Sequence, residues 1–286
     1  MKIKGIDVSF WQPKIDWKKV KNSGVKFAIL RASYGTSLDS KFNEHAKNAI
    51  ETGIDIGAYV YSIATTTSQA VREADFILNA VKPYQLNYPI VFDMESKELA
   101  SVSKEMRTQI AIAFCERIEK AGYYVMIYAN KYWLDSQLDF SRLKAYDVWL
   151  AQWTVEPSWN GNYGIWQSGQ TDVDGVGYCD INEGYRDYPQ IMKDAGLNGY
   201  KKDTTPNPPT NPEKPEPPTE PDKNPVVVGA KVRYKGLVQY SSWGTGGKPI
   251  TVDGIFVIQR IIKDRKYGVQ IDQLGWIAEK DCVIIQ

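Results

Sequence analysis

YPIVFDMES, residues 88–96, joins a short apolar run to two acidic residues that lie one position apart. An apolar run without polar alternation is typical of a strand that is covered on both faces of a parallel sheet. Because successive side chains of a strand point to opposite faces, Asp93 and Glu95 are predicted to project from the same face. The stretch therefore predicts a buried strand that ends in a pair of carboxylates.

The same alternation of an apolar run and a helical stretch recurs through the first 200 residues. Five predicted strands are each followed by a helical stretch, and they are KGIDVSF, KFAILRASY, DIGAYVYS, YPIVFDMES and YYVMIYAN. Three more, in DVWLAQW, YGIWQSG and GYCDINEGY, are separated only by loops. The pattern predicts an α/β fold, an irregular (β/α)5β3 TIM-like barrel, with an open doubly wound sheet as the alternative. In either fold the site is expected at the carboxyl ends of the strands.

Residues 201–225, KKDTTPNPPTNPEKPEPPTEPDKNP, contain nine of the chain's 15 prolines and no aromatic residue. Such a segment cannot bury a core, so it is predicted to be an extended, Pro-rich linker. It separates a large domain, residues 1–200, from a small one, residues 226–286. The small domain consists of short alternating runs punctuated by glycine, which predicts a small all-β barrel. It is mildly basic, with nine Lys and Arg against five Asp and Glu.

Composition removes several classes of function. The 286 residues carry a formal net charge of +1, so nucleic acid is not predicted as a partner. No stretch approaches the ~18 consecutive apolar residues of a membrane span, so no membrane partner is predicted either. The N-terminal stretch lacks the apolar segment of a secretory signal. The cysteines, Cys115, Cys179 and Cys282, are odd in number and far apart, which predicts no disulfide framework and synthesis in a reducing cytoplasm.

The chain has a single histidine, His45, in a helical stretch over residues 40–53 where it is predicted to be a surface residue. Zinc hydrolases need several His or Cys ligands at close spacing, and Ser–His–Asp or Cys–His catalysis needs a histidine beside the nucleophile. A single surface histidine satisfies neither the zinc-ligand requirement nor the requirement for a histidine beside a nucleophile. The sequence therefore predicts carboxylate chemistry with no metal and no cofactor.

Four acids are placed where they can meet. Asp7 ends the first predicted strand, Asp93 and Glu95 end the fourth, and Asp180 lies in CDIN on the last strand. In a closed barrel the last strand is the neighbour of the first, so all four are expected in one mouth. Clustered carboxylates repel, so at least one is expected to stay protonated near neutrality and to act as a general acid.

Aromatic residues are predicted around the same rim: Trp11, Tyr34, Tyr59, Tyr61, Tyr128, Trp153 and Trp166. Carboxylates ringed by tyrosine and tryptophan suit a sugar, whose CH faces stack on rings while its hydroxyls bond to polar groups. A proton donor in such a setting is what cleavage of a glycosidic bond requires.

The order of motifs resembles the glycoside hydrolase family 25 lysozymes. The matching stretches are GIDVSFWQ, FAILRASYG, IGAYVYS, PIVFDMES, MIYAN, WLAQW, IWQSG and CDIN, and the resemblance covers essentially residues 3–190. The resemblance implies an irregular β/α barrel that cleaves the β-1,4 bond between N-acetylmuramic acid and N-acetylglucosamine in peptidoglycan. It also implies Glu95 as acid/base, Asp93 as its partner, and Asp7 and Asp180 as supporting acids.

Substrate contacts are expected from Arg31, Tyr34, Tyr59, Tyr61, Tyr128, Trp153 and Gln167. Two stretches depart from the family pattern. Where members commonly read K-A-T-E-G, this chain has Arg31 through Gly35 as R-A-S-Y-G, which keeps a positive charge but replaces an acid by Tyr34. Where members often read G-A-Y-H-F, it has G-A-Y-V-Y. These departures concern contacts with individual sugars rather than the four acids.

The spacing of Asp93 and Glu95 bears on the mechanism. Two carboxylates on one face approach the sugar from one side, whereas an inverting enzyme needs its base on the opposite side. The spacing favours a substrate-assisted route, in which the 2-acetamido oxygen attacks C1 while Asp93 orients the amide, with retention of configuration. An inverting route, with Asp7 or Asp180 positioning a water, stays open. A non-catalytic carbohydrate-binding protein is the alternative function.

The small domain resembles the bacterial SH3-like modules of cell-wall lysins, in VRYKG, VDGIFVI and LGWIAEKDC. This resemblance implies binding to a cell-wall ligand. Together the two domains are expected to form an endolysin of bacteriophage or prophage origin. The protein is expected to accumulate in the cytoplasm of the producing cell and to act on the wall at lysis.

Overall fold

The computed structural model describes residues 2–201, 226–242, 244, 249–263, 265–272 and 274–285. The chain divides into two compact units, Met1–Lys201 and Lys202–Gln286, which are described separately. Apart from Lys201, the predicted linker lies outside the described residues. Within the described residues, no helix combines the length and the apolar character needed to cross a membrane.

The first unit contains nine strands and six α-helices in the described residues. The strands are β1 Ile3–Val8, β2 Phe27–Tyr34, β3 Ser37–Leu38, β4 Asp55–Tyr61, β5 Ile90–Asp93, β6 Val125–Asn130, β7 Asp147–Ala151, β8 Ile165–Val173 and β9 Gly177–Gly184. The helices are α1 Trp17–Asn22, α2 Phe42–Thr52, α3 Thr67–Val81, α4 Lys97–Ala100, α5 Lys104–Lys120 and α6 Tyr188–Ala195. A π-helical turn, Trp133–Gln137, and a 3-10 turn, Phe140–Arg142, follow β6.

Eight of these strands close a barrel. Their order is β1-β9-β8-β7-β6-β5-β4-β2, and β1 pairs with β2 to complete the circle, while β3 forms a two-residue hairpin on β2. The other seven barrel strands pair in parallel, and β9 runs antiparallel to both of its neighbours. The predicted α/β barrel is therefore confirmed, and the open doubly wound sheet is wrong.

Strand β5, which ends at Asp93, shows how the barrel is packed. Every residue of β5 is buried, because helices cover its outer face and the barrel interior covers its inner face. Phe92 points outward and stacks on Phe114 of α5, with ring centroids 4.3 Å apart. Its neighbour Asp93 therefore points inward, as the two-residue period of a strand requires.

His45 is buried, so its prediction as a surface residue is wrong. It lies on the inner face of α2 with Phe42, Ala46 and Ala49, at the spacing of one helical stripe, and is 2% exposed. Its ring meets the edge of Trp17, with centroids 5.9 Å apart. Burial lowers the pKa of the imidazole, which favours its neutral form.

A buried polar cluster closes the end of the barrel at which the parallel strands begin. Asp147 begins β7, and its Oδ2 accepts hydrogen bonds from Arg186 at 2.7 Å, Tyr188 at 2.6 Å and Tyr124 at 3.2 Å. The Asp147 side chain is 3% exposed, so these donors replace the water that the carboxylate loses on folding. The cluster ties the segment after β9 to the barrel.

Asp147→Asn is expected to lower the free energy of unfolding of the first unit by about 3 kcal/mol, because it removes one partner of a buried ion pair. Urea titration of the full chain, followed by tryptophan fluorescence, measures the change. The exposed Asp194→Asn on α6 serves as the control and is expected to change stability by less than about 0.5 kcal/mol. Equal effects of the two substitutions would show that the cluster does not hold the barrel closed.

The second unit forms a five-stranded antiparallel sheet in its described residues, in the order β13-β12-β11-β10-β14. Its strands are β10 Lys231–Val238, β11 Ile250–Ile261, β12 Val269–Ile271, β13 Gly275–Ile277 and β14 Val283–Ile285, with a 3-10 turn at Glu279–Asp281. A bridge between Gln239 and Trp276 joins the end of β10 to β13, so the sheet curls back on itself. Its core includes Val232, Ile258 and Ile271.

Candidate active site

A cleft of about 400 Å3 opens at the carboxyl ends of the parallel strands. The structure brings the four acids singled out in the sequence to its wall: Asp7, Asp93, Glu95 and Asp180. A wider depression of about 820 Å3 lies elsewhere on the unit, between α1 and α2. It has two acids: Asp16 already caps α1 by accepting from Lys19 N, and Glu51 pairs with Lys47 on α2. The cleft lined by four acids is therefore the candidate site.

Asp93 is fixed at the inner wall of this cleft. It ends β5, and Met94 N still donates to Tyr128 O, so the strand geometry persists beyond Asp93 and directs Glu95 to the same side. The Asp93 Oδ1 atom is buried and accepts no hydrogen bond from the described residues. Burial raises the pKa of Asp93 well above its usual range, the charges of Glu95 and Asp7 raise it further, and Arg31 opposes them.

Glu95 lies at the mouth of the cleft, where its side chain is exposed to solvent. The surrounding protein raises the pKa of its carboxyl by partial desolvation, and the charge of Asp180 adds to this effect. A hydrogen bond from the Tyr128 hydroxyl works in the opposite direction. A carboxylic acid that holds its proton and is open to solvent can donate that proton to a ligand in the cleft.

Asp7 and Asp180 form a carboxyl pair across the closing seam of the barrel. They are directly opposite each other in the antiparallel pairing of β1 with β9. Asp180 therefore reaches the cleft from the middle of an antiparallel strand rather than from a strand end. Burial, followed by the charge of Asp180, raises the pKa of Asp7 well above its usual range.

Two buried amides hold Asp7 from below. Gln167 Nε2 donates to Asp7 Oδ2 at 3.1 Å, and Asn182 Nδ2 donates to the same oxygen at 2.8 Å. Gln167 Oε1 accepts from Trp153 Nε1 at 3.1 Å and lies 3.0 Å from the Tyr128 hydroxyl. Gln167 was predicted to contact substrate, but the structure engages both ends of its amide with protein side chains.

Three tyrosines complete the inner wall, and their pKa values keep them protonated. Burial raises the pKa of Tyr59 and Tyr128 well above their usual range and that of Tyr61 to about 12, with the nearby acids adding to each shift. Their hydroxyl groups are therefore neutral hydrogen-bond donors and acceptors for a ligand rather than bases.

Aromatic rings flank the mouth. Tyr34 stacks on Tyr61 with ring centroids 5.2 Å apart and an interplanar angle of 8°, and Tyr34 is largely exposed. Trp11 is 71% exposed and Trp153 is 57% exposed. Exposed rings at a concave polar site are suited to stacking on the apolar faces of sugars.

Comparison with known proteins decides the family. Residues 6–176 match the family described as "Glycosyl hydrolases family 25". The chain belongs to glycosyl hydrolase family 25. Asp7, Asp93 and Glu95 lie inside the matched residues, and Asp180 lies just beyond them.

Among curated relatives, the chain is similar to lysozyme M1 of Streptomyces globisporus, at 28% identity over 183 residues, which are 59% of this chain and 62% of the relative. Among solved structures it is similar to the modular autolysin LytC from Streptococcus pneumoniae in complex with a synthetic peptidoglycan ligand, with a TM-score of 0.58 and 25% identity. That match covers 64% of this chain and 47% of LytC. The CTP1L endolysin gives a TM-score of 0.60 at 25% identity, covering 67% and 69% of the two chains. The chain thus spans less than two thirds of lysozyme M1.

In this family 25 domain, one site residue that the sequence analysis missed is Asp39. Its Oδ2 accepts from Arg31 Nε at 2.8 Å and from Phe10 N at 3.1 Å, and its side chain is 1% exposed. The Arg31 guanidinium also lies over the Phe10 ring, 4.8 Å from its centroid. Asp39 thus fixes the cation of the cleft and the loop that carries Trp11. An acid between β3 and α2 gives no sequence signal for this contact.

Asp39→Asn is expected to lower kcat/KM about tenfold, because Arg31 loses its ionic partner and the cleft wall loses its fixed geometry. Steady-state kinetics on cell walls measure this change. Glu44→Gln is the control, because it removes only the exposed ion pair between Glu44 and Lys41. Its kcat/KM is expected to stay close to that of the wild type. If Asp39→Asn matches that control, Asp39 does not organise the cleft.

Four further residues change the predicted site. The prediction that Trp166 lies at the rim is wrong, because Trp166 is 4% exposed and packs in the core. It neighbours Gln167 on β8, so strand alternation turns it away from the cleft. Tyr178 and Trp149 line the cleft and were missed. Asn182 was also missed, although its position two residues after Asp180 gave the signal that both share one face of β9.

Proposed function

We propose that this chain is a glycoside hydrolase that cleaves the β-1,4 bond between N-acetylmuramic acid and N-acetylglucosamine in bacterial peptidoglycan. The observation that carries the proposal is the solvent-accessible Glu95 carboxyl, whose pKa is raised by its surroundings and which shares one cleft with three other acids. Family membership and the similarity to proteins named lysozyme and autolysin support the same substrate class.

Glu95 is the general acid in this proposal. It protonates the glycosidic oxygen as the bond to the leaving sugar breaks, and its carboxylate then takes a proton from the water that completes hydrolysis. The charge of Asp180 supports the first step, because it raises the pKa of Glu95 and so favours the protonated carboxyl before the glycosidic bond breaks. The tyrosines of the inner wall supply neutral hydrogen bonds to the sugar.

Asp93 acts on the 2-acetamido group of the sugar that is attacked. Its buried Oδ1 lacks a donor among the described residues, and the N–H of an acetamido group in the cleft supplies one. An acetamido oriented in this way attacks C1 with its carbonyl oxygen as the leaving group departs. Asp93 and Glu95 then act from the same side of the sugar, and the product keeps its configuration.

The anomeric configuration of the first product tests this route. Proton NMR early in the digestion of a soluble glycan is expected to show the β-anomer before mutarotation. A first product in the α-configuration would show that water attacks directly from the opposite side, with Asp7 or Asp180 as its base.

Digestion of purified Gram-positive cell walls tests the function itself. Clearing of the suspension is expected together with new reducing ends and without new amino termini. New amino termini would indicate an amidase or endopeptidase. Wall binding without any new end would indicate the alternative, a non-catalytic carbohydrate-binding protein.

We also propose that the second unit is an SH3-like module that anchors the protein to a cell-wall ligand. A curled antiparallel sheet and three exposed cations on β10, Lys231, Arg233 and Lys235, support this role. Co-sedimentation of full-length Glu95→Gln with purified walls is expected to be strong. Substitution of the three cations by glutamine in that protein is expected to reduce it, and undiminished binding would place the anchor elsewhere.

An endolysin role is the third element of the proposal, supported by the similarity to the CTP1L endolysin. The protein is then expected in the cytoplasmic fraction of the producing cell until lysis. Fractionation before and after lysis tests this expectation, and recovery from the wall of intact producing cells would contradict it.

A further inference from the structure

Two tryptophans determine how the amides beneath Asp7 are oriented. An indole N–H can only donate a hydrogen bond, so the atom it meets must be an acceptor. Trp149 Nε1 lies 2.7 Å from Asn182 Oδ1, and Trp153 Nε1 lies 3.1 Å from Gln167 Oε1. Each amide therefore presents its carbonyl oxygen to a tryptophan and its NH2 group to the other side.

The other side in both cases is Asp7 Oδ2. Asn182 Nδ2 and Gln167 Nε2 both donate to it, so this oxygen is a double acceptor. A proton on Oδ2 would be directed against two N–H groups. Asp7 is buried beside another carboxyl, which favours its protonated form, so its proton belongs on Oδ1.

Asp7 and Asp180 are hydrogen-bonded to each other as well as opposite in register. We propose that Asn182 and Gln167 are positioning residues that keep the proton of this pair on Oδ1 of Asp7, from which it is donated to Asp180. Asp180 is then the ionised member of the pair, beside Glu95. This inference rests on the proposed function for its effect on catalysis, but the position of the proton does not.

The consequence is a chain of contacts from the cleft wall to the proton donor. Trp149 and Trp153 orient the amides, the amides orient Asp7, Asp7 keeps Asp180 ionised, and the charge of Asp180 helps Glu95 to keep its proton. Other ionisable groups around the pair are Asp93 on β5, Tyr59 on β4, Tyr128 on β6, Arg31 on β2 and Cys179 on β9. They are the same in each variant below.

Trp149→Phe and Trp153→Phe test the inference, because phenylalanine keeps a ring and removes only the N–H. Tyr128 does not fix the amide of Gln167 by itself, since a hydroxyl both donates and accepts. The freed amides can then turn a carbonyl oxygen toward Asp7 Oδ2 and draw the proton there. Asp180 loses the hydrogen bond from Asp7, keeps the one from Gln170, and takes up a proton at higher pH. Glu95 then loses the neighbouring charge that raises its pKa, so the alkaline limb of the kcat profile is expected to move down by about one pH unit.

Trp11→Phe is the matched control. Trp11 is another exposed tryptophan of the cleft, and the structure shows no bond from its indole N–H to Asn182 or Gln167. It is expected to keep the wild-type alkaline limb whatever its effect on KM. Trp153 is also exposed, so its variant is expected to fold even if the buried Trp149→Phe does not.

Carbon-13 NMR of the aspartate carboxyls measures the protonation of Asp7 and Asp180 directly, without any catalytic turnover. Asp7→Asn and Asp180→Asn assign the two signals. Asp180 is expected to titrate at lower pH than Asp7 in the wild type, and at higher pH in both phenylalanine variants than in Trp11→Phe. Titration of Asp180 that is the same in all three variants would overturn the inference. A shifted titration in a protein that cleaves no glycan would uphold the inference and reject the proposed function.

Discussion

Glu95→Gln is expected to reduce the rate of cell-wall clearing by about 1,000-fold or more, which is the upper part of the range for loss of a general acid. Glutamine has nearly the same shape and cannot give a proton to the glycosidic oxygen. The substitution leaves the barrel core untouched, because Glu95 is exposed at the mouth of the cleft. Turbidity and reducing-end assays on purified walls measure the loss.

Glu98→Gln is the matched control for this variant. Glu98 lies on α4, three residues after Glu95, and does not line the cleft. It is expected to clear walls at nearly the wild-type rate. Glu95→Gln is expected to keep binding to walls, so lost activity with retained binding separates chemistry from anchoring. Clearing by Glu95→Gln at the wild-type rate would remove Glu95 from the mechanism.

Asp93→Asn is expected to lower kcat by about 100-fold or more with a small change in KM. Asparagine keeps the shape of the side chain but cannot ionise to offset the positive charge that develops at C1 and on the acetamido group. The effect falls on the transition state rather than on ground-state binding, so kcat and kcat/KM are expected to fall together. Asp174→Asn, at the exposed turn between β8 and β9, is the control.

The glycan offers an independent check on Asp93. Walls whose amino sugars have been chemically de-N-acetylated lack the acetamido group that Asp93 is proposed to orient. The wild type is expected to lose activity on them, and Asp93→Asn is expected to add little to that loss, because the two changes remove one interaction. Fully multiplicative losses would show that Asp93 acts independently of the acetamido group.

Local periodicity in the sequence was sufficient to predict the barrel and its acids. The two-residue period of β5 placed Asp93 and Glu95 on one side, and the strand–helix alternation placed the first and last strands together, so that Asp7 meets Asp180. Both inferences depend only on repeating geometry along the chain.

The same two-residue period predicts that Gln167 and its neighbour Trp166 point to opposite faces of β8. Placing both side chains at the cleft disregarded that period. His45 was misplaced for a related reason. Its polar side chain suggested solvent, whereas its position in the stripe of Phe42, Ala46 and Ala49 placed it in the core.

The supporting contacts were beyond sequence reasoning. Asn182 and Asp7 are 175 positions apart, and their hydrogen bond depends on how the antiparallel β9 closes the barrel. Asp39 reaches Phe10 across 29 positions from a short connection that has no strand or helix pattern. Such contacts are set by tertiary packing, and no local period reports them.

Analysis of the reduced digestion products identifies the glycosidic bond that the protein cleaves. Purified cell walls are digested with the wild-type protein and reduced with borohydride, and the sugar alcohol formed at the new chain ends is identified by mass spectrometry after hydrolysis. Cleavage after N-acetylmuramic acid is expected to give muramitol, and Glu95→Gln is expected to give none above background. Glucosaminitol instead of muramitol, or no new sugar alcohol from the wild type, would contradict the account.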